Sequence, residues 1–343
     1  MARSYRQAGV DIDEARRAVE LIGLAAATTA TPAVLAGIGG FGSLFRFDPT
    51  THPDPVLVAS TDGVGTKLKI AIALGRYGSI GVDLVNHCIN DIAVQGADPL
   101  FFLDYLAVGK LRAEIAAEIV GGVANACAAA GISLVGGETA ELPDLYASGD
   151  FDLAGFIVGV VARTDLIDGS AVRVGDVVLG LPSSGLHTNG YSLARRVFSE
   201  DEWGRTAPGL DRTLGDVLLE PHRSYLDEIR ILRRALREAG GDALAFAHIT
   251  GGGWVDNIPR TLPNGLGVEV QLGSWAVPLI FSLIQQRGDI ADAEMVRTFN
   301  LGIGLTCVVR ADLADLALRA VPEARQVGRV VPVTPGGPRV SFV

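Results

Sequence analysis

The stretch "IGVDLVNHCINDIAVQGADPLFFLDYLAVG", Ile80 to Gly109, contains a change of period that decides the fold. In its first half Val82, Leu84, Val85, Cys88, Ile89, Ile92 and Val94 make most of the circumference of a helix apolar as far as Gln95. Gly96 and Pro99 punctuate the chain there, and an apolar run follows. A buried helix leading into a strand that is apolar on both faces is the repeating unit of an α/β layer. The runs "PVLVAS" (55–60), "ISLVGG" (132–137) and "FDLAGFIVGVVA" (151–162) repeat the strand pattern. Helical stretches at 67–74 and 113–130 alternate with them, after an amphipathic helix from about Asp13. Together these predict one four-stranded α/β unit.

The joint "DGSAVRVGD" (168–176) is polar and punctuated by glycine, and a second series of strands opens behind it. "VVLGLP" (177–182), "ALAFAHI" (243–249), "LGVEVQ" (266–271), "IGLTCVV" (303–309) and "EARQVGRVV" (323–331) are its members, separated by helices such as "YLDEIRILRRALREAG". A chain of 343 residues exceeds the size at which one core stops growing. The expectation is therefore an α/β (α+β) protein of two α/β domains, 1–167 and 168–343. The first carries a four-stranded sheet and the second a mixed sheet with flanking helices.

Net charge of −10 and the lack of a basic run exclude a general nucleic-acid binder. Cys88, Cys127 and Cys307 are an odd number of thiols, each inside an apolar run, which reads as a reduced cytoplasmic protein. "MARSYRQAGVDIDEARRAVELI" has no apolar core of a signal peptide, and no run reads as a membrane span. "LFFLDYLAVG" and "FDLAGFIVGVV" are too apolar for a sheet covered on one face only, so a second subunit is expected over the other.

Chemistry-bearing residues cluster where strands give way to helices. In "STDGVGTKLKIA" (60–71), Asp62 ends a strand, Gly63 and Gly65 let backbone amides approach a ligand, and Thr66 and Lys67 open a helix. Such amides favour phosphate, and a carboxylate beside them suits hydrated magnesium. Lys67 is one of only three lysines, with Lys69 and Lys110. "DGVGTK" is no P-loop, because Thr66 separates Gly65 from Lys67 and Leu68 stands where Ser or Thr would hold a metal. On the following helix Asp83, His87, Asn90 and Asp91 form one polar stripe without Lys, Glu or Arg, which reads as ligands lining a cleft. In "LVGGETAELPD" (134–144), Gly137, Glu138 and Thr139 again join a carboxylate to a glycine turn. Gly37, Gly39 and Gly42 of "GIGGFG" match a dinucleotide fingerprint only weakly, since no strand precedes them. With Gly40 and the large Phe41 the segment has instead the makeup of a lid. "LPSSGLHTNGYS" (181–192) supplies Ser183, Ser184, His187, Thr188 and Asn189, a donor-rich loop able to hold a phosphate.

These segments, with "AGVDIDEA", "LAGFIVGVV", "HITGGGWVDNIPR" and "RTFNLGIGL", closely resemble the phosphoribosylformylglycinamidine cyclo-ligases from about Tyr5 to about Leu305. The resemblance implies an ATP-dependent enzyme of purine synthesis that closes formylglycinamidine ribonucleotide to aminoimidazole ribonucleotide, with ADP and phosphate released. It also implies magnesium, an N-terminal domain that binds ATP and pairs in a homodimer, and a C-terminal domain closing the site. Asp62, Asp91 and Glu138 are then the metal candidates. Gly39, Gly40, Phe41, Gly42, Asp62, Gly63, Gly65, Thr66, Lys67, Asp91, Gly137, Glu138 and Thr139 would bind the nucleotide, and His187, Lys67 and Asn189 would be catalytic. His87 and His222 stand where relatives usually carry an apolar residue and Thr. Thiamine-monophosphate kinase is the sibling alternative; selenophosphate synthetase would want a reactive Cys near the N-terminus, whereas the first here is Cys88.

Overall fold

The computed structural model describes residues 9–343; Tyr5, where the family resemblance begins, lies outside the described residues. The described chain packs as two compact units. One runs to Ile92 and resumes over Asp98–Arg163; the other joins Ala93–Ala97 to Thr164–Val343. The short segment belongs with the second unit for a visible reason. Arg233 donates to the carbonyls of Gly96 and Asp165 at 3.2 and 2.6 Å, which holds the turn after the long helix.

The first unit holds α1 (Ile12–Ala27), β1 (Val34–Ala36), β2 (Leu44–Phe45), β3 (Pro55–Gly63), α2 (Lys67–Leu74), α3 (Gly78–Ala93), β4 (Asp98–Val108), α4 (Ala113–Ala130), β5 (Ser133–Glu141) and β6 (Phe151–Ala162). Its main sheet runs β3-β6-β4-β5, antiparallel except for the parallel pair β4 and β5. Asp11 caps α1 by accepting from the amides of Asp13 and Glu14. Helix α3 crosses α4 at contact distance because both carry glycine there. A Cβ on Gly81 would stand 2.2 Å from the Ile119 carbonyl, and one on Gly122 equally close to that of Gly78.

One face of the sheet packs on the helices. Leu84 of α3 and Phe102 of β4 meet over Gly155 and are fully buried, each contributing about 1.5–3 kcal/mol. The opposite face is half open: Leu57 and Phe156 are 65 % and 44 % exposed beside the half-buried Phe101, Leu103 and Tyr105. Helix α4 is long and apolar enough to cross a membrane by length and composition, which the sequence reading had not flagged. Glu114 and Glu118 interrupt it, and half of it is buried in the unit.

The second unit is built on a six-stranded sheet: β7 (Val177–Pro182), β8 (Ala245–His248), β9 (Leu266–Val270), β10 (Ile303–Val309), β11 (Arg325–Pro332) and β12 (Val340–Phe342). Its order is β12-β9-β11-β7-β10-β8, mixed because only β12 and β9 run parallel. Val178, Val268, Val327 and Ile303 form its core with the stacked rings of Trp254 and Trp275, 5.1 Å apart. Each indole N–H finds a carbonyl, of Asn300 and Leu301 respectively, so neither ring pays for burial with an orphaned donor.

Candidate active site

The polar stripe of α3 is not a solvated face. Asp83, His87 and Asn90 are buried, and only Asp91 is partly exposed. Each charged member meets a residue of the β3–α2 segment, 16 to 31 positions away in sequence. Lys67 donates to Asp83 Oδ1 at 2.8 Å, both side chains being fully buried. His87 Nε2 lies 2.8 Å from Asp62 Oδ2, and Ser60 donates to Asp91 Oδ2 at 3.2 Å. Asp62 also accepts from the Gly63 amide at 2.7 Å. Asp62 thus meets His87 at the C-terminal end of β3, and Asp91, one turn further along α3, is reached by Ser60 of the same strand. Burial pulls the His87 imidazole toward its neutral form. The hydrogen bond to Asp62 and the charges of Asp62, Asp91 and Asp83 outweigh burial, so its pKa is raised above the ordinary value.

Lys67 requires a correction. Its ammonium was expected to hold a phosphate, but it has no exposed surface and faces Asp83. A buried carboxylate on α3 demands a partner, and the first turn of α2 supplies one. The other two lysines are also paired, Lys69 with Asp150 and Lys110 with Glu141. Gly65 has φ +66° and Thr66 precedes α2 directly, so the turn that presents Asp62 is the one that buries Lys67.

Glu138 lies elsewhere. The pair Gly136 and Gly137 suggested a turn, whereas β5 continues through both to Glu141. Asp62, Gly155, Asp104 and Gly137 form one row across the four strands, so β3 and β5 are opposite edges, about 14 Å apart at the usual strand spacing. Glu138 follows Gly137 and so projects from the other face. Within one chain it does not share an ion with Asp62 and Asp91. Glycine is required at 137, because a Cβ there would stand 2.5 Å from Asp104 Oδ1. Asp104 is itself buried, and desolvation raises its pKa to about 7.

The glycine loop belongs to the β5 side. β1 and β2 form a small hairpin whose connection holds Gly39, Gly40, Phe41 and Gly42, all exposed, with the Phe41 ring fully in solvent. Ser43 ties it to β5 by donating to the Val135 carbonyl, and Gly136 leaves room for that hydroxyl. The sequence-derived nucleotide candidates therefore fall into two groups. Asp62, Gly63, Gly65, Thr66 and Asp91 stand at the β3 edge; the loop glycines, Phe41, Gly137, Glu138 and the half-buried Thr139 stand at the β5 edge.

In the second unit His187 follows β7 in a left-handed turn, φ +64°, and is buried. Its Nε2 accepts from the Ser184 amide at 3.2 Å. Gly304 makes space for it, since a Cβ there would stand 2.4 Å from His187 Cε1 and 2.2 Å from the Tyr225 hydroxyl. Asn189, half-buried, donates to Thr188 Oγ1 at 3.4 Å. Two residues that sequence reasoning did not connect complete this corner. His222 stacks on His187 with ring centroids 4.0 Å apart, and its Nε2 lies 2.9 Å from His248 Nε2. In the sequence His222 stood out as a departure from the usual Thr and His248 opens the segment "HITGGGWVDNIPR", but nothing local joined either to His187.

Residues 43–161 match the family described as AIR synthase related protein, N-terminal domain, and residues 173–340 match the corresponding C-terminal domain. A phosphoribosylformylglycinamidine cyclo-ligase of Desulfitobacterium hafniense is 53 % identical over 92 % of this chain and 91 % of its own length. One of Nitrosococcus oceani is 49 % identical over 99 % and 94 %. Among solved structures, thiamine-monophosphate kinase from Stenotrophomonas maltophilia superposes with a TM-score of 0.68 at 19 % identity, covering 94 % of this chain and 95 % of that one. Hydrogenase maturation protein HypE in complex with ATP gives 0.64 at 16 % identity, covering 92 % and 88 %. At such identities these two speak for the fold alone.

Proposed function

The chain belongs to the phosphoribosylformylglycinamidine cyclo-ligase family, and from that premise we propose that it closes the imidazole ring of aminoimidazole ribonucleotide, in purine biosynthesis, at the expense of ATP. The γ-phosphoryl group passes to the formyl oxygen of formylglycinamidine ribonucleotide, breaking its bond to ADP. The formyl carbon then carries a phosphate leaving group in place of a poor oxide. An amidine nitrogen attacks that carbon, forming the new C–N bond, and phosphate departs with the former formyl oxygen. Loss of a proton completes the aromatic ring. The chemistry asks for positioning and charge neutralisation rather than a protein nucleophile.

Asp62 and Asp91 fit a hard cation, since both offer carboxylate oxygens where β3 meets α3, while Asp83 beside them engages Lys67. Bound there, magnesium would neutralise the nucleotide phosphates. Backbone amides about Gly63 and Gly65 would add donors to the same phosphates, and the loop with Phe41 would exclude water from the β5 side. ATP as the phosphoryl donor draws support from the fold shared with an ATP-bound maturation protein. His187 would donate to the phosphoryl or formyl oxygen and Asn189 would orient it. Lys67 would act through Asp83 and the placement of α2 rather than by touching substrate.

In assembly terms, a second copy would cover the open face that exposes Leu57 and Phe156; Phe156→Lys should then shift the sedimenting species from dimer to monomer. We assign nucleotide binding and dimerisation to the first domain, about 1–167, and substrate donors to the second, 168–343. Three buried thiols suit a reducing cytoplasm. The single observation that carries the substrate is the 53 % identity along nearly the whole chain. Its test is isotopic. Heavy oxygen placed in the formyl group should appear in inorganic phosphate, and its retention in a nucleotide product would refute the activation step.

A further inference from the structure

Three of the five histidines in the chain meet in the second unit. His187, His222 and His248 are buried, 1 %, 1 % and 6 % exposed, and each offers a ring nitrogen within 4.8 Å of the others. They come from separate places: the turn after β7, the segment before the helix Leu226–Glu238, and the last residue of β8. We propose that this knot is a binding site for a borderline-soft divalent transition ion, zinc being the best fit, held by the three imidazoles with a fourth position for water.

The donor set selects the ion. Imidazole nitrogen suits zinc, copper or nickel, whereas magnesium wants oxygen. Three neutral nitrogens and an open fourth position is a familiar zinc arrangement. The spacing is close to what an ion needs. Zinc–nitrogen bonds of about 2.0–2.1 Å set tetrahedral ligands about 3.4 Å apart. The His222 and His248 Nε2 atoms are already 2.9 Å apart, and the third nitrogen lies within 4.8 Å, a gap that side-chain torsions close.

A second observation concerns the tautomer. His222 Nδ1 lies 3.3 Å from Thr188 Oγ1. With its hydrogen on Nδ1 and donated to that hydroxyl, His222 turns a lone pair at Nε2 toward His248. An outer N–H held by an oxygen is the support that metal-bound imidazoles characteristically have. His187 would exchange the Ser184 amide for the ion. Occupancy therefore removes His187 from any donor role, and zinc inhibits turnover. That consequence alone rests on the proposed function; the binding does not.

The experiment is a titration of the full chain with cobalt in the presence of excess magnesium. One equivalent should develop the visible absorption of tetrahedral cobalt, and one equivalent of zinc should bleach it. His222→Gln should weaken binding at least tenfold, and Thr188→Val, which removes only the outer hydroxyl, by about tenfold. No tetrahedral band in the parent chain overturns the site, as does an unchanged band in folded His222→Gln. Should His222→Gln fail to fold, the parent titration and Thr188→Val decide. Cobalt binding with turnover undiminished by zinc supports the site and overturns the catalytic role of His187.

Discussion

In the first unit Lys67, Asp83, His87, Asp62 and Asp91 line up between α3 and the β3–α2 turn, a file of charges with more acid than base. In the second unit His187, His222 and His248 stack and abut with no carboxylate among the three. Both knots are buried polar chemistry, yet they solve desolvation in opposite ways. The first sets charge against charge, Lys67 facing Asp83 and His87 facing Asp62, and its three carboxylates outnumber its two basic side chains, which suits a hard cation. The second gathers imidazole nitrogens alone, donors that suit a borderline-soft ion. Burial by itself therefore does not say what a polar cluster is for; the sign left over after internal pairing does.

The largest effect that would break this contrast lies at Lys67. Lys67→Met leaves Asp83 buried without its ammonium and should cost about 3–5 kcal/mol of stability, most of it recovered in Lys67→Met/Asp83→Leu. Thermal melts of both variants check this. A single variant that melts normally but has lost turnover would return the ammonium to the substrate. Next is Asp91→Asn, which keeps shape and removes charge. Turnover should fall by about 100-fold or more while the melting temperature moves little. Normal turnover with a lowered melting temperature would make Asp91 a structural acid.

Asp104 sharpens the comparison through pH. Its pKa in the fold, about 7, is raised above the unfolded value of about 3.9. A raised value means that the protonated form is favoured by folding. That stabilisation is complete below about pH 4 and is lost as pH rises through about 7. Asp104→Asn, always neutral, should be more stable than the parent at pH 8 by up to about 4 kcal/mol and show no gain at pH 4. Denaturant melts at the two pH values measure it, and an equal difference at both would mean that burial does not hold the proton. The smallest effect is expected at Phe41, whose ring touches solvent on all sides. Phe41→Ala should change stability by no more than about 0.5 kcal/mol, so a larger loss in a melt would show that the loop is packed rather than open.

The strands and helices of both units were readable because most are long apolar runs bounded by glycine and proline; 67–74 and 113–130 were expected with the bounds observed. What escaped was short or non-local. β1, β2 and β12 have two or three residues each, too few for any period to register. Glu138 was placed at a turn because Gly136 and Gly137 look like one, whereas they are strand glycines that make room for Ser43 and Asp104. The stripe on α3 was visible as a pattern, but its meaning depends on which residues of β3 and α2 face it. That is a tertiary fact, and it turned Lys67 from ligand into counter-ion and gave His87 to Asp62. The histidine knot draws on positions as far as 61 residues apart, 187 to 248, and no local pattern connects them.

The most direct measurement of the central claim is ADP release by the purified chain with magnesium and ATP, comparing formylglycinamidine ribonucleotide with thiamine monophosphate. The account predicts rapid ADP release with the former, in step with aminoimidazole ribonucleotide, and only background with the latter. Equal release with thiamine monophosphate, or none with either, would contradict it.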